Sequence, residues 1–152
     1  LPSDVDIVLF TDPGQELEGK TRLARIGFDR VIGYVVEPYQ ALVDHRRDVQ
    51  VASRLTAKAF DQRAAELPNL QIVDVRNPGE VEAGAIPNAI SIPVGQLPAR
   101  LGELDPAKPT VVYCAGGYRS SVAASLLRQN GFKDVSDILG GYGAWEEATQ
   151  NA

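Results

Sequence analysis

Two stretches of this chain carry the same punctuation roughly a hundred residues apart, and that repetition limits the folds open to it. Val8-Leu9-Phe10 aligns with Val111-Val112-Tyr113 at an offset of 103, and the match runs on through Gly14/Gly117, Leu23/Leu126 and Arg25/Arg128. After a one-residue slip it resumes as Gly27-Phe28 against Gly131-Phe132 and Val31 against Val135. Each copy reads as a short apolar strand, a glycine turn, an amphipathic helix stopped at Gly-Phe, and a second strand. Shared glycines mark shared backbone turns, so the pattern points to a duplicated unit and not merely to similar composition. Strands alternating with helices argue for an α/β protein with a mainly parallel central sheet, covered by helices on both faces in three α/β/α layers.

What precedes each copy differs. Ahead of the second copy come a first short strand at Val49–Leu55, a helix at Ala57–Glu66 and a buried strand at Leu70–Val75. A turn at Asn77-Pro78-Gly79 and an apolar strand around Ala89–Ile92 follow. Ahead of the first copy there is almost nothing. Residues 49–152 therefore read as a complete domain, and residues 1–48 as the back half of another, joined through the polar run Asp44-His45-Arg46-Arg47-Asp48. The chain contains no methionine. Leu1 is then not a translation start, and the expectation is a piece of something longer.

Charge and composition narrow the function classes. The net charge of −5 gives no basic surface for nucleic acid. No apolar run approaches the ~18 residues of a membrane span, and no signal peptide opens the chain. The lone cysteine, Cys114, cannot form an internal disulfide, which leans toward a reducing, cytoplasmic setting.

That cysteine sits where chemistry is expected. It ends the β-rich run Thr110-Val111-Val112-Tyr113, and Ala115-Gly116-Gly117-Tyr118-Arg119-Ser120-Ser121 leads from it into a helix that stops at Asn130-Gly131. Open α/β sheets build their ligand sites at such strand ends. Two consecutive glycines let backbone N–H groups converge into a nest for negative charge. The helix N-terminus adds partial positive charge and Arg119 a full one. All three favour the thiolate over an inert thiol.

The loop resembles the active-site loop of rhodanese domains, which run Cys-x-x-Gly-x-Arg-Ser ahead of the same helix. Asp74-Val75-Arg76 followed by Glu80 is similar to the family's Asp-Val-Arg…Glu signature. Gly84-Ala85-Ile86-Pro87-Asn88-Ala89-Ile90-Ser91-Ile92-Pro93 is similar to its Gly-His-Ile-Pro-Gly-Ala…Asn-Ile-Pro segment, with Ala85 and Asn88 as departures. Leu139-Gly140-Gly141-Tyr142-Gly143-Ala144-Trp145 resembles its C-terminal Gly-Gly…Ala-Trp. The resemblance implies a rhodanese-like three-layer fold over the second domain, preceded by the back half of a degenerate rhodanese module.

It also implies sulfur transfer through a Cys114 persulfide, from small anionic donors such as thiosulfate or a low-molecular-weight persulfide to thiol or cyanide acceptors. Cys114 and Arg119 are then the catalytic pair, with Ala115, Gly116, Gly117, Tyr118 and Ser120 binding substrate. Asp74, Arg76 and Glu80 give structural support, with Arg76 expected to pair with Glu80. No metal and no organic cofactor are called for. His45 reads as a linker residue and Trp145 as a packing anchor; Tyr118 either walls the pocket or stands exposed. In the degenerate half, Thr11 stands where Cys114 would be and Glu16 where Arg119 would be. Pro13 removes an N–H from the would-be nest.

Two other readings share this fold. Cysteine phosphatases place five residues between cysteine and arginine; here there are four, a ring better sized for one sulfur atom than for a phosphate. A non-catalytic binding module usually loses the cysteine, which this chain keeps. The loop behind a degenerate half also resembles the tail of fusions with a metallo-β-lactamase-fold persulfide dioxygenase, an expected upstream partner domain.

Overall fold

The computed structural model describes residues 4–49 and 51–150, and they divide into two units, Leu1–Val51 and Ala52–Ala152. Gln50, inside the expected first strand, lies outside the described residues.

In the smaller unit, β1 (Ile7–Leu9) leads through α1 (Glu16–Ala24) to β2 (Val31–Tyr34), which pairs with β1 in parallel. Helix α2 (Pro38–Asp44) follows, then a 3-10 turn at Arg46–Asp48. The expected linker is thus a helix end and one tight turn. Val8 and Ile32 stand 57% and 64% exposed, so this two-stranded sheet is not covered as a domain core would be.

The larger unit contains β3 (Ser53–Leu55), α3 (Ala57–Glu66), β4 (Gln71–Asp74), α4 (Pro78–Glu82), β5 (Ile90–Ser91) and α5 (Leu97–Arg100). After these come β6 (Thr110–Tyr113), α6 (Tyr118–Gln129), β7 (Val135–Ile138) and α7 (Gly141–Gln150). The strands form one sheet in the order β3-β7-β6-β4-β5, and every pairing is parallel. All four residues of β6 and of β7 are buried, as central parallel strands require.

Apolar side chains pack on both faces. Val73, Val112, Ala123, Leu127 and Phe132 belong to one cluster; Phe60, Val111, Tyr113 and Ile138 to the other, with Tyr142 and Trp145 against them. Helix α3 packs on α7, and α6 on β6 and β7. The larger unit is a three-layer α/β/α fold.

The repeat is visible in backbone geometry. Gly27 and Gly131 both adopt positive φ, 87° and 90°. Gly27 and Phe28 donate to the carbonyls of Ala24 and Leu23, and Gly131 and Phe132 to those of Arg128 and Leu127. Both helices therefore end in the same left-handed cap. The cap also corrects the alignment: Leu23 matches Leu127, not Leu126, so the slip falls before Leu23.

The expected turn at Asn77-Pro78-Gly79 is instead the start of α4. Pro78 occupies the first turn, where a missing N–H costs nothing, and Asn77 with Glu80 forms a capping box. The strands are also shorter than expected, because pairing ends before apolar composition does. No helix among the described residues is long and apolar enough to cross a membrane.

Candidate active site

From the middle of the sheet the chain turns opposite ways. Strand β4 leads to β5 on one side and β6 leads to β7 on the other, so a crevice opens between the carboxyl ends of β4 and β6. Cys114 follows directly on β6, and Asp74, Val75 and Arg76 stand at the end of β4.

The Cys114 sulfur is buried, with the residue 1% exposed. Gly117 donates its N–H to Sγ at 3.1 Å, and the Ser120 hydroxyl lies 3.6 Å from it. Gly117 can close this turn because its φ is +96°, a conformation that side chains disfavour. Burial pushes the thiol up, but hydrogen bonds from the Ser120 hydroxyl and from the N–H groups of Ser120, Gly117 and Gly116 outweigh it, leaving the pKa below the ordinary cysteine value.

The loop is also held from behind. Tyr142 and Gly143, in the first turn of α7, donate their N–H groups to the carbonyls of Cys114 and Ala115 at 2.7 and 3.2 Å. That approach explains the Gly140-Gly141 pair. A Cβ on Gly141 would lie 2.1 Å from the Cys114 carbonyl oxygen.

Arg119 does not stand free beside the sulfur. Its two terminal nitrogens donate to the Glu80 carboxylate at 2.6 and 2.7 Å, so the bridge spans the crevice from the β6 side to the β4 side. Attraction to Cys114 adds to Glu80 in holding the guanidinium protonated. Arg76 is not the partner of Glu80. It turns back on Asp74, with Nη2 to Oδ2 at 2.6 Å, and donates to the Gly84 carbonyl at 2.7 Å. The Arg76 guanidinium also lies over the Tyr142 ring at 4.2 Å. The buried carboxylate of Asp74 takes up the nearest cation, which leaves Glu80 for Arg119.

Ala115 and Gly116 are exposed on the loop, Gly117 and Ser120 are buried, and Arg119 is half-buried. Tyr118 is 83% exposed. Trp145 packs in the α3–α7 cluster and donates its indole N–H to Asp61 at 3.1 Å. His45 lies 3.8 Å from Asp48 in the smaller unit.

The rhodanese-like domain family profile matches residues 56–148. This chain belongs to the rhodanese-like domain family. A sulfurtransferase of Allochromatium vinosum is 33% identical over 95 residues, covering 62% of this chain and 89% of that protein. The thiosulfate sulfurtransferase GlpE of Shewanella oneidensis is 37% identical over 83 residues, 55% of this chain and 82% of the relative. Among solved structures, a rhodanese-related protein from Thermoplasma volcanium superposes with a TM-score of 0.58 at 32% identity, covering 64% of this chain and 93% of that one. The rhodanese-like domain places its single cysteine in the loop where the family carries its active site.

Two charged residues at this site gave no sequence signal. Arg54 on β3 donates to both oxygens of Asp137 on β7, at 3.0 and 2.9 Å, and reaches the Gly117 carbonyl at 3.4 Å. They lie 83 residues apart, and only the β3–β7 register brings them together.

The Glu80–Arg119 bridge has a pH signature. The Arg119 hydrogen bonds hold the Glu80 carboxyl down to about 2, against an ordinary 4.5. A depressed folded-state pKa contributes stability that is complete above the unfolded value and is lost as pH falls through the folded one. The melting-temperature gap between the wild type and Glu80→Gln should be constant above about pH 5 and shrink between 4.5 and about 2. A gap that is flat across that window would show that the bridge does not set it.

Proposed function

We propose that this domain is a sulfurtransferase that carries a sulfane sulfur on Cys114. The observation that carries the reading is a lone sulfur under converging N–H donors at the switch point of a parallel sheet. The Cys114 thiolate attacks the outer sulfur of thiosulfate; the Cys114–sulfur bond forms as the donor's sulfur–sulfur bond breaks, and sulfite leaves with the electron pair. A persulfide donor reacts the same way and releases its thiol. An acceptor thiolate or cyanide then takes the outer sulfur and returns Cys114 to the thiolate, a two-step relay with ping-pong kinetics.

The N–H groups of Gly116, Gly117 and Ser120, which favour the thiolate, also suit the negative terminal sulfur of the persulfide. Arg119 meets the anionic end of the donor, exchanging part of its hold on Glu80 for the incoming charge. Asp74 and Arg76 support the β4 side of the crevice. The Cys-x-Gly-Gly-Tyr-Arg-Ser loop behind a degenerate half-module supports a low-molecular-weight persulfide as the natural donor, its sulfur exchanged with an upstream metallo-β-lactamase-fold persulfide dioxygenase domain.

Intact-protein mass spectrometry after incubation with thiosulfate, and separately with glutathione persulfide, tests this. Cys114 should gain one sulfur atom from either donor, faster from the persulfide, and cyanide should remove it. A chain that gains no sulfur from either donor, or keeps it in cyanide, would overturn the reading.

A further inference from the structure

Asp137 is a charged residue in the centre of a buried strand, its side chain 1% exposed. A carboxylate there is costly unless its lone pairs are filled. Arg54 fills most of them: Nε donates to Oδ1 at 3.0 Å and Nη2 to Oδ2 at 2.9 Å. The remaining neighbour of Oδ2 is the buried Ser120 hydroxyl at 3.4 Å, and that hydroxyl lies 3.6 Å from the Cys114 sulfur. Carboxylate, hydroxyl and sulfur therefore form a line, with the guanidinium at its far end.

A hydroxyl has one proton to give. While Cys114 is a thiol, its S–H donates to Ser120 and Ser120 donates to Asp137. Once the thiol proton has left to solvent, the thiolate can take a further donor beside the loop N–H groups, and Ser120 can serve only by withdrawing its proton from Asp137. That withdrawal is tolerable only if Asp137 is otherwise satisfied. We propose that Arg54 is a positioning residue for the Cys114 nucleophile: by occupying and neutralising Asp137, it releases the Ser120 proton to sulfur. Without Arg54, a bare buried carboxylate would hold the hydroxyl proton and set a like charge behind the thiolate. Arg54 is also attracted to Cys114 directly.

The other charges facing the sulfur are already matched. Arg119 from α6 is paired with Glu80 of α4, and Arg76 after β4 with Asp74. The first turn of α7 brings N–H groups, spent on loop carbonyls. A change at Arg54 should therefore be read at the sulfur through Asp137.

The inference takes Cys114 as the nucleophile of the proposed transfer, but its test needs no transfer. Cys114 is the only cysteine, so the rate of iodoacetamide alkylation against pH reports that sulfur alone. Arg54→Ala should move the inflection up by about one pH unit, a roughly tenfold slower alkylation below it. Arg54→Lys should recover part of the shift, since it restores charge without the planar fork. Arg54→Ala combined with Asp137→Asn should return the inflection close to wild type, because the unneutralised charge has gone; if Arg54→Ala folds poorly, the partial shift in Arg54→Lys carries the test. An unchanged inflection in Arg54→Ala and Arg54→Lys would overturn the proposal. So would a double variant shifted as far as the single one, which would put the effect of Arg54 on the Gly117 carbonyl instead.

Discussion

Cys114→Ser should lose thiosulfate:cyanide sulfur transfer by about three orders of magnitude or more, with the melting temperature nearly unmoved. The sulfur is the only soft nucleophile in the loop, and a serine hydroxyl there would have no neighbouring base to activate it. Its oxygen can still accept the Gly117 N–H, so the turn keeps its shape. The change is one buried atom, and the scaffold behind it is untouched: Cys114 and Ala115 hold α7 through their backbone carbonyls, not through side chains. The check is steady-state thiocyanate production alongside a thermal melt. Turnover within tenfold of wild type in a folded Cys114→Ser protein would remove the cysteine from the mechanism.

Much of this site is legible locally because its parts are adjacent in sequence. The four apolar-patterned residues of β6 leading to Cys114, two glycines and the opening of α6 fall within a dozen positions, and local rules cover all of them. The glycines at Gly27 and Gly131 are legible for a similar reason, since a helix stop is a property of one turn. Pairing across the sheet is not local. Glu80 and Arg119 were both visible as charged residues of interest, yet 39 residues separate them, and nothing in the chain between says which arginine the carboxylate meets.

Arg54 and Asp137 were less visible still. Each looks like a solvent-facing charge in a short strand, and only parallel register with the buried center of β7 makes one of them interior. Short elements were lost for another reason. Helices α2 and α5 have seven and four residues, too few for a hydrophobic period to declare itself. Helix α4, with five, shows in sequence only the Asn77-Pro78-Gly79 run, which reads as a turn.

Gly141→Ala should be the most damaging single-methyl change in the larger unit, and comparison with Gly131→Ala separates its causes. Both glycines have positive φ, +60° and +90°, so alanine at either carries a left-handed backbone penalty of about 1–2 kcal/mol. At Gly131 that is the whole effect, because a Cβ would meet nothing within 4 Å. At Gly141 the added carbon would lie 2.1 Å from the Cys114 carbonyl oxygen and 2.7 Å from that of Ala115. Both are backbone atoms that cannot swing aside, so the first turn of α7 must lift away from the loop. Overpacking of this kind adds about 1–3 kcal/mol. The lift also lengthens the bonds from Tyr142 and Gly143 to the loop carbonyls, which loosens the N–H groups gathered on the sulfur. Gly141→Ala should therefore melt well below Gly131→Ala and also alkylate more slowly at Cys114 below the inflection, whereas Gly131→Ala should keep the wild-type alkylation profile. Equal melting temperatures for the two variants, or a wild-type profile in Gly141→Ala, would show that the close approach of α7 to the loop does not hold the sulfur's environment in place.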